Sequence, residues 1–321
     1  MHGLWLEDQE LSYREDLPRP EVEEGQVLIK PLLAGICSTD LELLRGYYSF
    51  RGVIGHEFVG RVEEAPSHPD LVGKRMVGEI NIVCGTCRHC RSGLPTHCLN
   101  RRALGIHDHH GAFAGYFTLP VENIHLLPDS VANSEAVFVE PLAAAVRLVD
   151  QVHIKPRDRV LVVGAGRLGQ LVAQVLRLTG ADLSVVARYA NQKEILAGFG
   201  IRTLREDQLP EGNQEVVVDA TGSPGGFQAA RRAVKPTGTL LMKSTYAGDL
   251  TVDASSLVVD EINLIGSRCG PFEPAVRLLE QKLIDPTPLI AGTYPLQEWK
   301  RALEHVRGKG VLKVLLSPGR A

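Results

Sequence analysis

The sequence predicts a two-domain α/β protein, in which a β-rich domain precedes a doubly wound parallel sheet. Three observations carry that expectation: a length of 321 residues, a change of texture near Asp158, and a glycine-rich turn between a strand pattern and a helix pattern. At roughly 100–200 residues per domain, the length fits two domains. The expected boundaries are 1–144 together with 270–321 for the first domain, which is discontinuous, and 145–269 for the second.

Short β-like runs separated by Gly and Pro fill the first 140 residues or so, among them Gln26–Leu33 and Glu57–Glu63. From Asp158 onward strands and helices alternate. Arg159–Val163 is a short apolar run of the buried parallel type. Leu168–Leu178 follows with helical periodicity and stops before Gly180. Further strand candidates are Leu183–Ala187, Glu215–Asp219, Thr239–Lys243 and Ile262–Gly266, with helical stretches between several of them. That alternation implies βαβ units. In the tail, Pro295 is expected to start a helix through Leu303 and His305, and Val311–Leu316 to form a last strand that returns to the first domain.

Charge excludes some function classes. There are 38 acids against 35 bases, a formal charge of −3, so no basic field is available for nucleic acid and no polybasic run for an anionic membrane. The first 13 residues lack the basic and apolar regions of a signal peptide. The longest apolar runs are too short to span a bilayer. The expectation is a cytoplasmic protein.

Four of the six cysteines lie close together. Cys84, Cys87, Cys90 and Cys98 are spaced by two, two and seven residues. In a reducing compartment such clusters bind metal more often than they form disulfides. Four thiolates in a compact loop suit a closed, tetrahedral, structural Zn²⁺ site. An iron–sulfur cluster is the rival, but its run has the fourth Cys three residues after the third and then Pro, whereas Leu99 follows here. Four free thiols are the remaining alternative. His89 and His97 are read as bystanders.

A second set is Cys37, His56, Glu57 and Glu140. One Cys, one His and one carboxylate would leave the fourth position of a zinc ion open, as catalysis requires. Spacing alone leaves another reading in place: Cys37 and His56 as ordinary core residues and Glu140, before Pro141, as an exposed turn acid. His107, His109 and His110 read as a solvated loop or an adventitious metal site. Tyr47, Tyr48 and Phe50 line a pocket or simply pack.

The third set is Gly164-Ala-Gly166-Arg167-Leu168-Gly169, a G-x-G-x-x-G turn between strand and helix. Gly164 makes the turn, Gly166 lets a pyrophosphate approach, and Gly169 allows helix and strand to pack, with the diphosphate at the helix N-terminus. A plain βα turn is the alternative. An acid is expected at the tip of the second strand where NAD is bound, but Arg188 stands there. An arginine suits a 2′-phosphate, which favours NADP(H) over NAD(H); a solvated surface arginine is the other reading.

Gly35-Ile-Cys37-Ser-Thr39-Asp40, Gly55-His56-Glu57, the four-cysteine lobe, Glu140-Pro-Leu-Ala143, the glycine turn, Asp219-Ala-Thr221-Gly222 and the late Lys313 strand stand in that order along nearly the whole chain. Together they resemble the zinc-containing medium-chain dehydrogenase/reductase superfamily, the alcohol dehydrogenase-like proteins, and within it the polyol and threonine dehydrogenase branch. The resemblance implies a GroES-like β-rich catalytic domain plus a Rossmann domain. It implies two Zn²⁺ per chain, one structural and one catalytic. Cys37 and His56 look like catalytic-zinc ligands, Glu140 matches a third ligand position, and Glu57 is partly exchangeable with it. Asp40 resembles the carboxylate that orients His56, and Thr39 the hydroxyl that takes the alcohol proton. Thr221, Gly222 and Lys313 join the nucleotide-binding set. The implied substrate is a small-molecule alcohol or carbonyl, and the implied assembly a homodimer or homotetramer. One departure is Leu41-Glu42-Leu43, which stands where some alcohol dehydrogenases carry a proton-relay histidine. Two other functions remain at this point. One is a nucleotide-binding sensor without turnover, and the other a zinc-free quinone-reductase-like enzyme.

Overall fold

Gln26–Gly35, ten residues long, is the strand around which the first unit is built. The computed structural model describes residues 1–46, 48–245 and 249–319. Val27, Leu28 and Ile29 are fully buried in that strand. It pairs antiparallel with Glu57–Glu64, with Phe117–Pro120 and with Lys313–Ser317. Arg75–Gly78 and Ile124–Leu126 extend the sheet on one side, and Ile290–Pro295 on the other. The chain thus returns at its end to pair with its own beginning. Residues Met1–Glu140 and Phe272–Ala321 form this compact unit, and Pro141–Pro271 form a second.

The second unit holds a six-stranded sheet, parallel throughout. Its strands, in chain order, are Arg159–Val163, Asp182–Val186, Arg202–Leu204, Gln214–Asp219, Val234–Met242 and Asn263–Gly266. Their spatial order is 3-2-1-4-5-6, so the direction of winding reverses beside the first strand. Ligands of open α/β sheets bind at that reversal, beyond the C-terminal strand ends. Val-rich strands fit this burial, since both faces are covered. Leu161, Val217 and Leu240 pack with Phe227, Ala230 and Ala233 of helix Pro224–Ala233. That helix starts where Ser223 accepts from the Gly226 amide at 3.2 Å and Pro224 presets the first turn.

Helix Arg167–Arg177 follows the first strand of this unit through the glycine turn. Gly164 has φ of +103°, open to glycine at no steric cost. A Cβ on Gly169 would lie 1.9 Å from the Gly164 carbonyl oxygen, so the helix approaches the turn as closely as backbone allows.

One expectation is corrected, and one strand is added. Pro295 does not start a helix; it ends the strand Ile290–Pro295, and the helix runs Trp299–Val306 after a short turn at Leu296–Glu298. The strand pairs parallel with Lys313–Ser317, and that long-range pairing outweighs the local helix signal. The strand Arg202–Leu204, three residues long, gave no periodic signal. Among the described residues no helix is long and apolar enough to cross a membrane.

Gly169→Ala should destabilise the protein by about 1–3 kcal/mol, the usual cost of overpacking. Urea unfolding of the two proteins side by side measures it, and equal midpoints would remove the close-approach argument.

Candidate active site

Three groups of side chains matter, and the local fold explains where each lies. Cys37 caps the short helix Ser38–Leu43, and its amide donates to Asp40 Oδ2 at 2.8 Å. Asp40 is therefore fixed by the chain turn that it closes. Its other oxygen, Oδ1, lies 3.3 Å from His56 Nδ1, and the two side chains are 1% and 3% exposed. The pair is too poorly aligned for a full hydrogen bond, and neither atom has another partner. His56 follows the strand Gly52–Val53, and Glu57 opens the strand Glu57–Glu64. One ligand atom from each of Cys37, His56 and Glu57 falls within 4.8 Å of the others. A soft thiolate, an imidazole and a carboxylate form a donor set suited to zinc. Asp40 faces the imidazole nitrogen on the far side, the usual means of aiming a metal-binding histidine.

Burial works against charge on His56, but the neighbouring Asp40 and Cys37 outweigh it and raise its pKa well above the ordinary histidine value. A proton therefore competes with any cation for this imidazole. Thr39 Oγ1 lies 3.7 Å from Cys37 Sγ. Glu140, in the first turn of helix Val139–Gln151, is half-buried and is not part of the converging group.

Lys313, grouped with the nucleotide-binding residues by resemblance, pairs with the Cys37 cluster in the first unit. It begins the last strand, and its ammonium bonds Glu57 Oε2 and reaches the Ile36 carbonyl at 3.5 Å. The two side chains are 3% and 2% exposed. Gly35 leaves room for the pair, since a Cβ there would stand 2.7 Å from Glu57 Oε2. Lys313 thus serves as counter-charge to a residue of the cluster.

The second group is the cysteine lobe. Cys87 begins the turn Arg88–Arg91, and Cys98 closes Pro95–His97. Sulfur separations of 3.5, 3.5 and 3.9 Å join Cys87 to Cys90, Cys98 to Cys84, and Cys87 to Cys98. Zn–S bonds of about 2.3 Å set tetrahedral S···S edges near 3.8 Å. The amides of Cys84 and Asn100 point at Cys98 Sγ, each at 3.3 Å. Amide donors at Thr86 and Cys87 pull the Cys84 thiol down to about 5, whereas desolvation and the neighbouring thiols push Cys90 up to about 12. His89 and His97 stay outside the ligand group.

The third group surrounds a cavity of about 560 Å³ in the second unit, lined among others by Gly164, Gly166, Arg188, Thr221 and Ser223. A Cβ on Gly166 would meet nothing within 4 Å, so its backbone faces open space. Arg167, Leu168 and Gly169 form the first helical turn behind the glycines. Thr221 donates from its amide and hydroxyl to Asp219 Oδ1, at 3.0 and 2.7 Å, which fixes the turn before Gly222, whose φ is +67°. Arg188 is exposed and pairs with Glu206 at 2.7 Å. Sequence reasoning missed Glu206, Tyr189, Gln192 and Arg232 on the cavity wall. Glu206 follows the short strand that left no pattern.

Of the other candidates, Tyr47 lies outside the described residues. Tyr48 is exposed, and buried Phe50 lines a smaller cavity with Arg51, His109 and His110. His110 Nδ1 accepts from the Val53 amide at 3.3 Å. Burial pulls His109 down to about 4. Among the described residues the three histidines form no metal-ligand group. Glu42 bonds Arg45 at 2.6 Å.

Comparison with known proteins adds an independent view. Residues 23–129 match the family model described as alcohol dehydrogenase GroES-like domain. A D-arabitol-phosphate dehydrogenase of Enterococcus avium is 30% identical over 94% of this chain and 92% of its own. Among solved structures, a candidate zinc-binding dehydrogenase of Sinorhizobium meliloti 1021, bound to NADP, is 28% identical with a TM-score of 0.91. A short chain alcohol dehydrogenase of Escherichia coli CFT073, complexed with NADH, is 27% identical with a TM-score of 0.90. Each covers 99% of both chains.

The buried pair allows a sharp stability test. Lys313→Met alone should cost about 3–5 kcal/mol, because it strands a buried carboxylate. Adding Glu57→Gln should recover much of that loss in urea titrations of metal-free protein; additive losses would show that the two residues do not interact. In the cysteine lobe, reactivity follows the thiolate fraction. In metal-stripped protein near neutral pH, iodoacetamide should modify Cys84 first and Cys90 last, with zinc protecting all four. Peptide mass spectrometry reads the order, and equal rates would contradict the amide-donor account.

Proposed function

Because this chain belongs to the medium-chain dehydrogenase/reductase superfamily, among its alcohol dehydrogenase-like oxidoreductases acting on alcohols, we propose that Cys37, His56 and Glu57 hold its catalytic zinc. One observation carries this reading: three different donor atoms, from two segments of the chain some twenty residues apart, converge within 4.8 Å. Zinc held there would act as a Lewis acid and lower the pKa of the substrate hydroxyl. Glu140 is the alternative third ligand. Cys84, Cys87, Cys90 and Cys98 hold a second zinc that orders their lobe, giving two per chain.

The residues then take distinct parts. Asp40, fixed by the Cys37 amide, holds the imidazole so that its free nitrogen faces the cluster. Thr39 Oγ1, beside Cys37, receives the proton that leaves the alcohol hydroxyl. Lys313 pairs with Glu57 and holds its carboxylate in place in a site with little water. The amides at the start of helix Arg167–Arg177 bind the diphosphate. Nicotinamide, when bound, accepts or returns the hydride. Arg188 on the cavity wall supports a preference for NADP(H) over NAD(H), since a guanidinium matches a 2′-phosphate. Thr221 and Gly222 belong to the same nucleotide-binding wall.

The Enterococcus avium relative supports a polyol-type alcohol as the substrate class. The protein is further proposed to be a cytoplasmic homodimer or homotetramer. The sheet edge at Asn263–Gly266, near Val258 and Val259, which are 75% and 80% exposed, offers apolar surface for assembly.

Metal analysis should give two zinc ions per chain in the wild type and one in Cys37→Ser. Turnover of a polyol panel should then fall by about a thousandfold or more, the scale of a lost Lewis acid. Undiminished turnover, or unchanged zinc content, would overturn the assignment.

A further inference from the structure

The second strand of the nucleotide-binding sheet ends without an acid, yet the cavity has one. Val186 pairs in register with Leu204 of the adjacent parallel strand. Arg188 and Glu206 each lie two residues beyond that pair. They occupy equivalent positions on neighbouring strands, at the C-terminal edge where nucleotides bind. Both line the cavity that Gly164 and Gly166 also line. The Ala187 amide, bonded to the Leu204 carbonyl at 3.1 Å, keeps the two strand ends together.

Glu206 is also held by its own turn. Glu206–Gln208 is a short helical turn started by Arg205, whose amide donates to Gln208 Oε1 at 3.0 Å. The Arg205 guanidinium engages Asp207 at 2.9 and 2.7 Å, so neither neighbour competes for Glu206. Arg188 donates to Glu206 Oε1 from Nη2 at 2.7 Å and from Nε at 3.2 Å. One edge of the guanidinium is thereby committed to a carboxylate, in the cavity where a 2′-phosphate would have to be received.

We propose that Glu206 is a specificity-determining residue for the nicotinamide cofactor, which accepts from the 2′-hydroxyl of NAD(H) and opposes the 2′-phosphate of NADP(H). The inference rests on the nucleotide-binding reading of this cavity. Its chemistry is simple. A carboxylate is an acceptor only, so it bonds a ribose hydroxyl and repels a phosphate. Arg188 acts in the opposite sense, and Glu206 tempers it by holding its donors. The pair makes the site admit both cofactors, where Arg188 alone would select one. An acid expected on the second strand is supplied from the third, by register rather than by sequence spacing.

Fluorescence titration of the purified holoenzyme with NADPH and with NADH tests this. In Glu206→Gln the NADPH Kd should fall by about three- to tenfold and the NADH Kd should rise by a similar factor, the scale of exposed charge interactions. Arg188→Gln should raise the NADPH Kd by about tenfold and leave NADH nearly unchanged. Both side chains are more than half exposed, at 69% and 64%, so neither substitution disturbs the core. If Glu206→Gln leaves the ratio of the two Kd values unchanged, or lowers both alike, the proposal fails. A wild type that prefers NADH overturns the NADP(H) preference alone, because the ratio still shifts on removing Glu206. If the wild type binds neither cofactor, the nucleotide reading and this inference fall together.

Discussion

A lysine and a glutamate, 256 residues apart in the chain, meet in an interior that excludes water. Lys313 and Glu57 tie together the last strand and the strand that follows the Gly-His-Glu turn. Burying two charges costs several kcal/mol per ion unless each finds the other in good geometry. That condition constrains everything near it. Gly35 has to lack a side chain, Lys313–Ser317 has to pair with Gln26–Gly35, and the C-terminal segment has to return to the first unit. A chain folded in any other way would leave a bare carboxylate beside Cys37 and His56. The site and the discontinuous unit are therefore one arrangement.

The second unit depends on a different economy. Valines and leucines fill the core of its sheet, and its buried charges, Asp219 and Lys243, stand at the strand ends. Gly164 and Gly169 bring the helix so near the strand that no side chain fits between them. The exposed pair on the cavity wall, Arg188 and Glu206, interacts where water weakens charge. Exchange of those two exposed residues leaves the packing of the fold alone, while a side chain on Gly169 would disturb it.

Much of this was legible in the sequence, for identifiable reasons. Four cysteines at spacings of two, two and seven specify their own lobe, since a metal-sized cluster needs only local chain. The glycine turn was legible because a strand and a helix of clear periodicity flank it. Glu140 matched the third ligand position on paper and Glu57 was partly exchangeable with it; the fold brings Glu57 together with Cys37 and His56. The pairing of Lys313 with Glu57 was not legible, because nothing local reveals a partner 256 residues away. The strand Ile290–Pro295 escaped for the same reason, being set by pairing with Lys313–Ser317. Glu206 was missed because its strand of three residues is too short to show a period.

The two metal-capable groups also differ in how they manage charge. In the cysteine lobe, backbone amides do the work: they draw Cys84 to about 5 while Cys90 stays near 12, so protons leave these thiols over a wide range. A cation entering there displaces the remaining protons and balances the charge of four sulfurs, which suits a closed site with a purely structural duty. In the other cluster the chain supplies its own balance. Asp40 stands behind His56, and Lys313 behind Glu57, before any cation arrives. With those partners in place, one thiol, one imidazole and one carboxylate converge, and among the described residues no fourth ligand joins them within 4.8 Å. A site built in that way holds its geometry through the residues behind the ligands, and the ion need not be fully enclosed. That distinction, more than the identity of any one ligand, is what supports reading the Cys37 cluster as the place for chemistry and the cysteine lobe as the place for structure.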